Sequence, residues 1–563
     1  TNECAFDLTD CFTHGGCRDG VLQPDYEECD GDDVNDLTCT LLGYNGGELR
    51  CGNDCTFDLT DCLANGRCGD GLLDPGENCD GTELMTLTCE DFGHYGGTMG
   101  CTPHCAWDIS GCTRCGDSVI QVDEGEQCDL NNLNGATCGD WGVEYGTPIC
   151  NSECELDPKG CYWFSLMGPV GHTAMYRIRM TPDGQYIYAA GETSVGFYEP
   201  TSSPQAVVMK LTRDGTVVWI GEWGEPGNST MEYVHFAMEL LPGGNVVFAG
   251  NLYTYLNGDI INGDSNLFIA ELTSDGTPLW ETHFGQSDRD ESIWGLTRVS
   301  SGNIYVYGVT DGSFPGFTNL GDYDLFLTAS TADGSLLWTF QWGTDMYEYP
   351  GFNGTDRDET GIYVGAQTGY DPGEGSLHIR KFTLDGSPLW ELNYLTVGQS
   401  VPTASCAHDD GDLVVVGFSP EILPGATLAS TPGHAAFIMK LSPEGEVRWI
   451  TQWGTGRMIE PRGCAVAENG DVVITGRAMG EFPGYSNLDS TKWDSFASRF
   501  TEGGTYLWSR QWGELSGNWD QFTSNPVLDS NGNMYVMGVT YGTMPGSFNM
   551  GTGGVFLMQA YIE

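Results

Sequence analysis

Three acidic residues recur at matching places in the first 161 residues: Asp19, Glu27 and Asp30, then Asp70, Glu77 and Asp80, then Asp117, Glu126 and Asp129. Carboxylates gathered by a short loop suit calcium, which takes about six to eight oxygens from carboxylates, backbone carbonyls and water. Three acids with glycines that expose carbonyls would supply about half of that shell. The same residue types also build turns in which Asp accepts backbone N–H bonds. Both readings stand at this stage, and calcium is the one cofactor the sequence suggests. DGDDVND (Asp30–Asp36) resembles a calcium loop but lacks the downstream Glu at the expected spacing and occurs once.

The elements that position these acids are stapled ones. Twenty of the 22 cysteines precede Tyr162. Eighteen form three copies of a six-cysteine unit: Cys17, Cys29, Cys39, Cys51, Cys55, Cys62; Cys68, Cys79, Cys89, Cys101, Cys105, Cys112; and Cys115, Cys128, Cys138, Cys150, Cys154, Cys161. The last four intervals are the same in every copy, at nine, eleven, three and six intervening residues. Such regularity, with an even count per unit, points to disulfides and an oxidising, extracytoplasmic setting. Which cysteine pairs with which is left open. Zinc is the competing reading, disfavoured because the three-residue interval is not the usual two. Cys4 and Cys11 repeat the final interval, so the chain is expected to begin inside a further unit, with more repeats upstream.

CGDGLLDPGENCD (Cys68–Asp80) and its counterparts resemble the Myxococcus-type cysteine-rich repeats of bacterial surface proteins. The resemblance covers Thr1 to Cys161 and implies small units with little core that need covalent staples. We divide this part into a remnant at 1–16 and repeats at 17–67, 68–114 and 115–161. Strung together they should form a stiff stalk. It carries 33 acids against five bases, about half the chain's net charge of −57.

The rest, 162–563, is organised by a different phrase: an apolar strand, a turn usually spelled Asp-Gly, then a Trp. Copies read LFIAELTSDGTPLWETHFG (Leu267–Gly285), LFLTASTADGSLLWTFQWG (Leu325–Gly343) and AFIMKLSPEGEVRWITQWG (Ala436–Gly454). Trp219, Trp280, Trp338, Trp390, Trp449 and Trp508 mark it at gaps of 52 to 61 residues, a period suited to four-stranded propeller blades. A seventh copy is split between the chain ends, Tyr162–Gly168 supplying one strand and Val555–Glu563 the other. We therefore predict an all-β fold: a seven-bladed propeller closed by its C-terminal strand and preceded by disulfide-rich repeats. The second tryptophans Trp223, Trp342, Trp453 and Trp512 are expected between blades, and the blade of Trp390 is expected to be irregular. The phrase resembles the bacterial SBBP-type propeller repeats of secreted and surface proteins, a family that implies no single ligand or reaction. Cys406 and Cys464 begin similar strands in adjacent blades and are expected as separate buried thiols, since adjacent blades often hold such strands too far apart.

With 79 acids against 22 bases, the surface repels nucleic acid and anionic lipid. No apolar run reaches the ~18 residues of a membrane-spanning helix. HExxH, GxSxG, P-loop and haem-attachment motifs are missing. The histidines are scattered, and acid pairs such as Asp288 with Asp290 or Asp356 with Asp358 are expected by chance, so we expect no enzyme. The leading expectation is a secreted, extracellular or cell-surface protein, structural or adhesive, whose partner is itself, head to tail, as a filament subunit. Next comes a propeller that binds surface glycan or matrix, and last a propeller hydrolase or lyase.

Overall fold

The computed structural model describes residues 17–561 except 75–76, 82–86, 93, 95, 104, 114, 142–144, 152, 159–160, 168–172, 194–204, 224–235, 253–265, 287–288, 352–355, 369–375, 396–399, 409–410, 430–434, 483–491, 513–521 and 541–553. Cys4 and Cys11 lie outside the described residues. Two compact units divide the chain: residues up to Thr137 with Pro148–Asp157, and Cys138–Thr147 with Pro158–Glu563.

Each cysteine-rich repeat is built around one short hairpin. Arg50–Cys51 pairs with Phe57–Asp58, Gly100–Cys101 with Trp107–Asp108, and Ile149–Cys150 with Leu156–Asp157. The three-residue interval spans the turn of that hairpin, which explains why it never varies. The cysteine that ends the interval takes a positive φ in every copy, at Cys55, Cys105 and Cys154. Pairing is first to fifth, second to fourth and third to sixth: Cys17–Cys55, Cys29–Cys51, Cys39–Cys62; Cys68–Cys105, Cys79–Cys101, Cys89–Cys112; Cys115–Cys154, Cys128–Cys150, Cys138–Cys161.

The second unit contains seven blades whose main strands run antiparallel. Blades 1 to 6 occupy 173–223, 236–284, 291–342, 348–395, 401–453 and 459–512. Blade 7 takes its inner strands from 522–540, its third strand from Gly554–Tyr561 and its fourth from Cys161–Met167. The two end strands meet in register, Trp163 opposite Gln559 and Leu166 opposite Phe556. That pairing closes the ring and leaves no blade edge open between the first and last elements. The inner strand of the Trp390 blade is broken into Glu348–Pro350 and Asp356–Arg357.

The repeated phrase has a physical reason. Five of the six marker tryptophans, all but Trp508, lie against the turn glycine of the following blade: a Cβ at Gly276 would sit 2.8 Å from the Trp219 ring, and one at Gly504 2.6 Å from Trp449. Those glycines also hold φ near +80°, so no other residue fits there without strain. The second tryptophans fill the seams between blades. Trp342 meets Phe382, Trp453 meets Phe500 at 4.7 Å, and Trp512 joins side chains of blades 6 and 7. The Trp223 side chain lies outside the described ones.

One expectation is overturned. Cys406 and Cys464 are not separate thiols but a disulfide, with Cα atoms 5.9 Å apart. Both stand on inner strands, Val401–Ala407 and Ile459–Val466, which pack directly on each other. Blades diverge outward from the axis, so the separation that forbids bridging at the rim does not hold at the centre.

Candidate functional site

The recurrent acids of the repeats act on the backbone. Asp30 accepts the Gly20 and Val21 N–H groups at 2.8 and 3.0 Å. Asp80 accepts Gly69 and Gly71 at 2.6 and 2.7 Å, and Asp129 accepts Gly116, Asp117 and Ser118. These three aspartates are buried. Asp19, Asp70 and Asp117 each fold back on the N–H two residues ahead, at Val21, Leu72 and Val119. Glu27, Glu77 and Glu126 hold the N–H of Gln23, Asp74 and Gln121. The loop these carboxylates clamp holds positive φ at two places per repeat, filled by Arg18 and Gly20, Gly69 and Gly71, and Gly116 and Ser118.

The three acids of each repeat are therefore brought to one loop, where Asp and Glu accept backbone N–H bonds. Among the described acids of the repeats, Asp30 Oδ1 and Glu126 Oε1 are buried oxygens without a hydrogen-bond partner. They belong to different repeats. Glu27, Glu77 and Glu126 also lie within 4.8 Å of the first-to-fifth disulfide sulfurs of their own repeats. Sulfurs bonded to each other offer no thiolate to a metal, so the geometry fits a staple beside a carboxylate clamp.

In the propeller, a cavity of about 80 Å³ opens between blades 3 and 4, lined by Tyr307, Trp342, Glu348, His378, Arg380 and Glu391. His378 joins Thr368 at 2.9 Å to Glu391 at 3.1 Å, and Arg380 also pairs with Glu391. Burial holds the His378 imidazole below its ordinary pKa, against the pull of Glu391. Glu348 is fully buried; its Oε1 accepts the Thr344 N–H and hydroxyl, while its Oε2 has no hydrogen-bond partner among the described residues. Burial pushes its carboxyl up to about 7, with Asp324 adding to the effect against the Thr344 bonds. Glu291 is buried in the same way one blade earlier and is also raised to about 7.

Glu291 and Glu348 stand six and five residues after the Phe-Gly or Trp-Gly pair that ends the preceding hairpin, and Glu460 stands six after Gly454. That recurrence was readable in the sequence and was missed. Of the acid pairs, Asp288 lies outside the described residues. Asp358 is committed to Lys381 at 2.5 Å and Tyr363 at 2.7 Å. Burial lifts its carboxyl, but the Lys381 ammonium and the two hydroxyls beside it win and hold it at about 2. A carboxylate so fixed is a structural ion pair.

Inner strands bulge repeatedly. One residue slips out of register in blades 1, 3, 5 and 6, at Tyr176, Trp294, Thr403 and Arg462. Bulges re-aim side chains, here on the strands that surround the axis. Among the described residues no helix is long and apolar enough to cross a membrane.

No family model matches the chain, and no curated protein does. It is similar to a solved puromycin hydrolase mutant complexed with PGG, at 12% identity over 66% of this chain and 52% of that one, TM-score 0.40. A europium-containing methanol dehydrogenase is similar at 10% identity over 77% and 96%, TM-score 0.34. A protein of unknown function from Bacteroides caccae is similar at 13% over 55% and 94%, TM-score 0.32. None of these likenesses assigns an activity to this chain.

Proposed function

We propose that this is an extracellular structural or adhesive protein in which disulfide-stapled acidic repeats carry a propeller, and that copies of it assemble with one another. Among the described residues, nine disulfides in the repeats and one across the inner strands support an oxidising location. The observation that carries self-assembly is a periodic one. In five of the six blades whose fourth strand bulges before its Trp, an apolar side chain stands exposed at the bulge, Val218, Leu279, Leu337, Leu389 and Leu507, while blade 5 places Arg448 there. Five blades thus repeat one apolar spot on their outermost strand, and exposed apolar positions on a repeat suit contact with other chains. The resemblance to surface-protein repeats fits this reading.

Electron microscopy of the purified full chain tests it. Long regular fibres are expected, dispersed when Leu279, Leu337 and Leu507 are replaced together by Asp. Separate particles at every concentration would remove self-assembly and leave a presented binding head.

That second reading, a propeller that binds surface glycan or matrix, is favoured by one observation of its own, a buried arginine, Arg177, on an inner strand with no carboxylate partner among the described residues.

A further inference from the structure

The inner strands of blades 1, 4 and 6 gather four arginines in a chain whose net charge is −57. Arg177 and Arg179 stand on the inner strand of blade 1, Glu239 on blade 2, Asp356 and Arg357 on blade 4, and Glu460 and Arg462 on blade 6. Groups from these separate blades act on one another: Arg179, Arg357 and Asp356 all bear on Glu239, and Arg462 bears on Arg177. Only the innermost strands bring blades 1, 4 and 6 that close.

Most of these groups are matched. Arg179 pairs with Glu239 at 3.4 Å. Glu460 Oε2 serves two guanidiniums at once, Arg462 at 2.9 Å and Arg477 at 2.7 Å. Among the described residues Arg177 has no carboxylate partner. It is 6% exposed, its Nη1 donates to the Tyr176 carbonyl at 2.9 Å, and its Nε has no acceptor. Arg462 Nε is likewise buried without an acceptor. Burial, with Arg179 and Arg462 nearby, pushes the Arg177 guanidinium down to about 9.

Blade 7 ties the two arginines into one place. Asn525 bonds both the N–H and the carbonyl of Ile178, next to Arg177. A Cβ on Gly463, next to Arg462, would lie 2.3 Å from the Asn525 Cα. Arg177 and Arg462 thus flank a single bulged segment. A buried cation without a carboxylate is unfavourable unless an anion completes it, and a guanidinium's fork of donors suits planar or tetrahedral oxyanions.

We propose that the inner strands of blades 1 and 6, where they meet at Asn525, bind an oxyanion group, a carboxylate, sulfate or phosphate, held by Arg177 and Arg462. Such a group has two sources, a free inorganic ion or an acidic sugar. This goes beyond the assembly role and does not depend on it.

Calorimetric titration of the full chain tests the proposal, using sodium sulfate, glucuronate and a sulfated disaccharide at constant ionic strength. Saturable binding is expected for the native sequence, weakened about tenfold or more by Arg177→Met and by Arg462→Gln. Arg177→Met removes an unpaired buried charge and should fold; if it does not, Arg462→Gln carries the comparison. Tighter binding of either sugar than of sulfate supports the site with a glycan as source. Equal or weaker sugar binding supports it with an inorganic ion as source. No saturable binding of any of the three, or unchanged affinity in the variants, overturns it.

Discussion

In the first cysteine-rich repeat the most deeply buried side chains are Cys29, Cys39, Cys55, Cys62 and Asp30; in blade 3 they include Ile293, Ile304, Val306, Tyr307, Phe326 and Leu327. Both regions are built by repetition, and both bury carboxylates. The repeats replace an apolar core with sulfur bridges and a carboxylate that gathers backbone N–H groups. The blades bury whole apolar strands and use carboxylates at their ends. Units of about 50 residues cannot remove enough apolar surface from water to hold themselves, whereas seven blades share theirs across every seam. One strategy is covalent and local; the other is hydrophobic and collective.

The largest expected effect separates the two. Each repeat bridge closes a loop of 22 to 39 residues, a constraint of roughly 3–4 kcal/mol per bridge. Reduction with dithiothreitol should therefore unfold the repeats while the propeller, with its single bridge at Cys406–Cys464, stays folded. Limited proteolysis with mass spectrometry reads this directly. A propeller fragment beginning near Cys161 is expected, and simultaneous loss of both regions would show that the blades also depend on covalent closure.

The next effect probes the seams. Trp453 is 2% exposed, meets Phe500 of the next blade and donates its indole N–H to Ser498 at 3.0 Å. Trp453→Ala should cost about 3–5 kcal/mol and lower the propeller's melting temperature without changing protease sensitivity in the repeats. A loss below about 1 kcal/mol would mean the seam collapses around the cavity.

How much of this was legible in the sequence follows from the same contrast. The propeller was readable because its period and its Asp-Gly turns repeat, and Trp219 needs the facing Gly276 as surely as Trp449 needs Gly504. The disulfide framework was readable as a framework, but its pairing depends on which strands fold beside the Cys51–Cys55 turn. The Cys406–Cys464 bond was misjudged because strand similarity does not reveal distance from the axis. The site at Arg177 was invisible for a different reason. An arginine on an amphipathic strand looks solvated, and only the converging inner strands of blades 1, 6 and 7 bury it.

A smaller effect tests what the repeat carboxylates do. Asp80→Ala would strand the Gly69 and Gly71 N–H groups and should destabilise its repeat by about 2–3 kcal/mol. The same lowering of the melting temperature is expected in calcium and in chelator, because the Asp80 oxygens already hold amides. If calcium raises the native melting temperature and Asp80→Ala abolishes that rise, the loop is a calcium site and the backbone clamp is secondary.

The smallest effect is a pH dependence that belongs to the blades. In an unfolded chain glutamate titrates near 4.5, whereas Glu291 and Glu348 in the folded blades hold their protons to about 7. Between those values the folded state binds more protons than the unfolded one, so stability falls as pH rises. The contribution is complete below about 4.5 and lost above about 7. Relaxation of the surroundings around an ionised carboxyl reduces it to about 1–2 kcal/mol per glutamate. Calorimetric melting should therefore place the propeller transition lower at a pH of about 8 than at about 5. The double variant Glu291→Gln with Glu348→Gln should flatten that difference, since the amide keeps the neutral form at every pH. A native profile already flat over this range would mean that both carboxyls ionise in place.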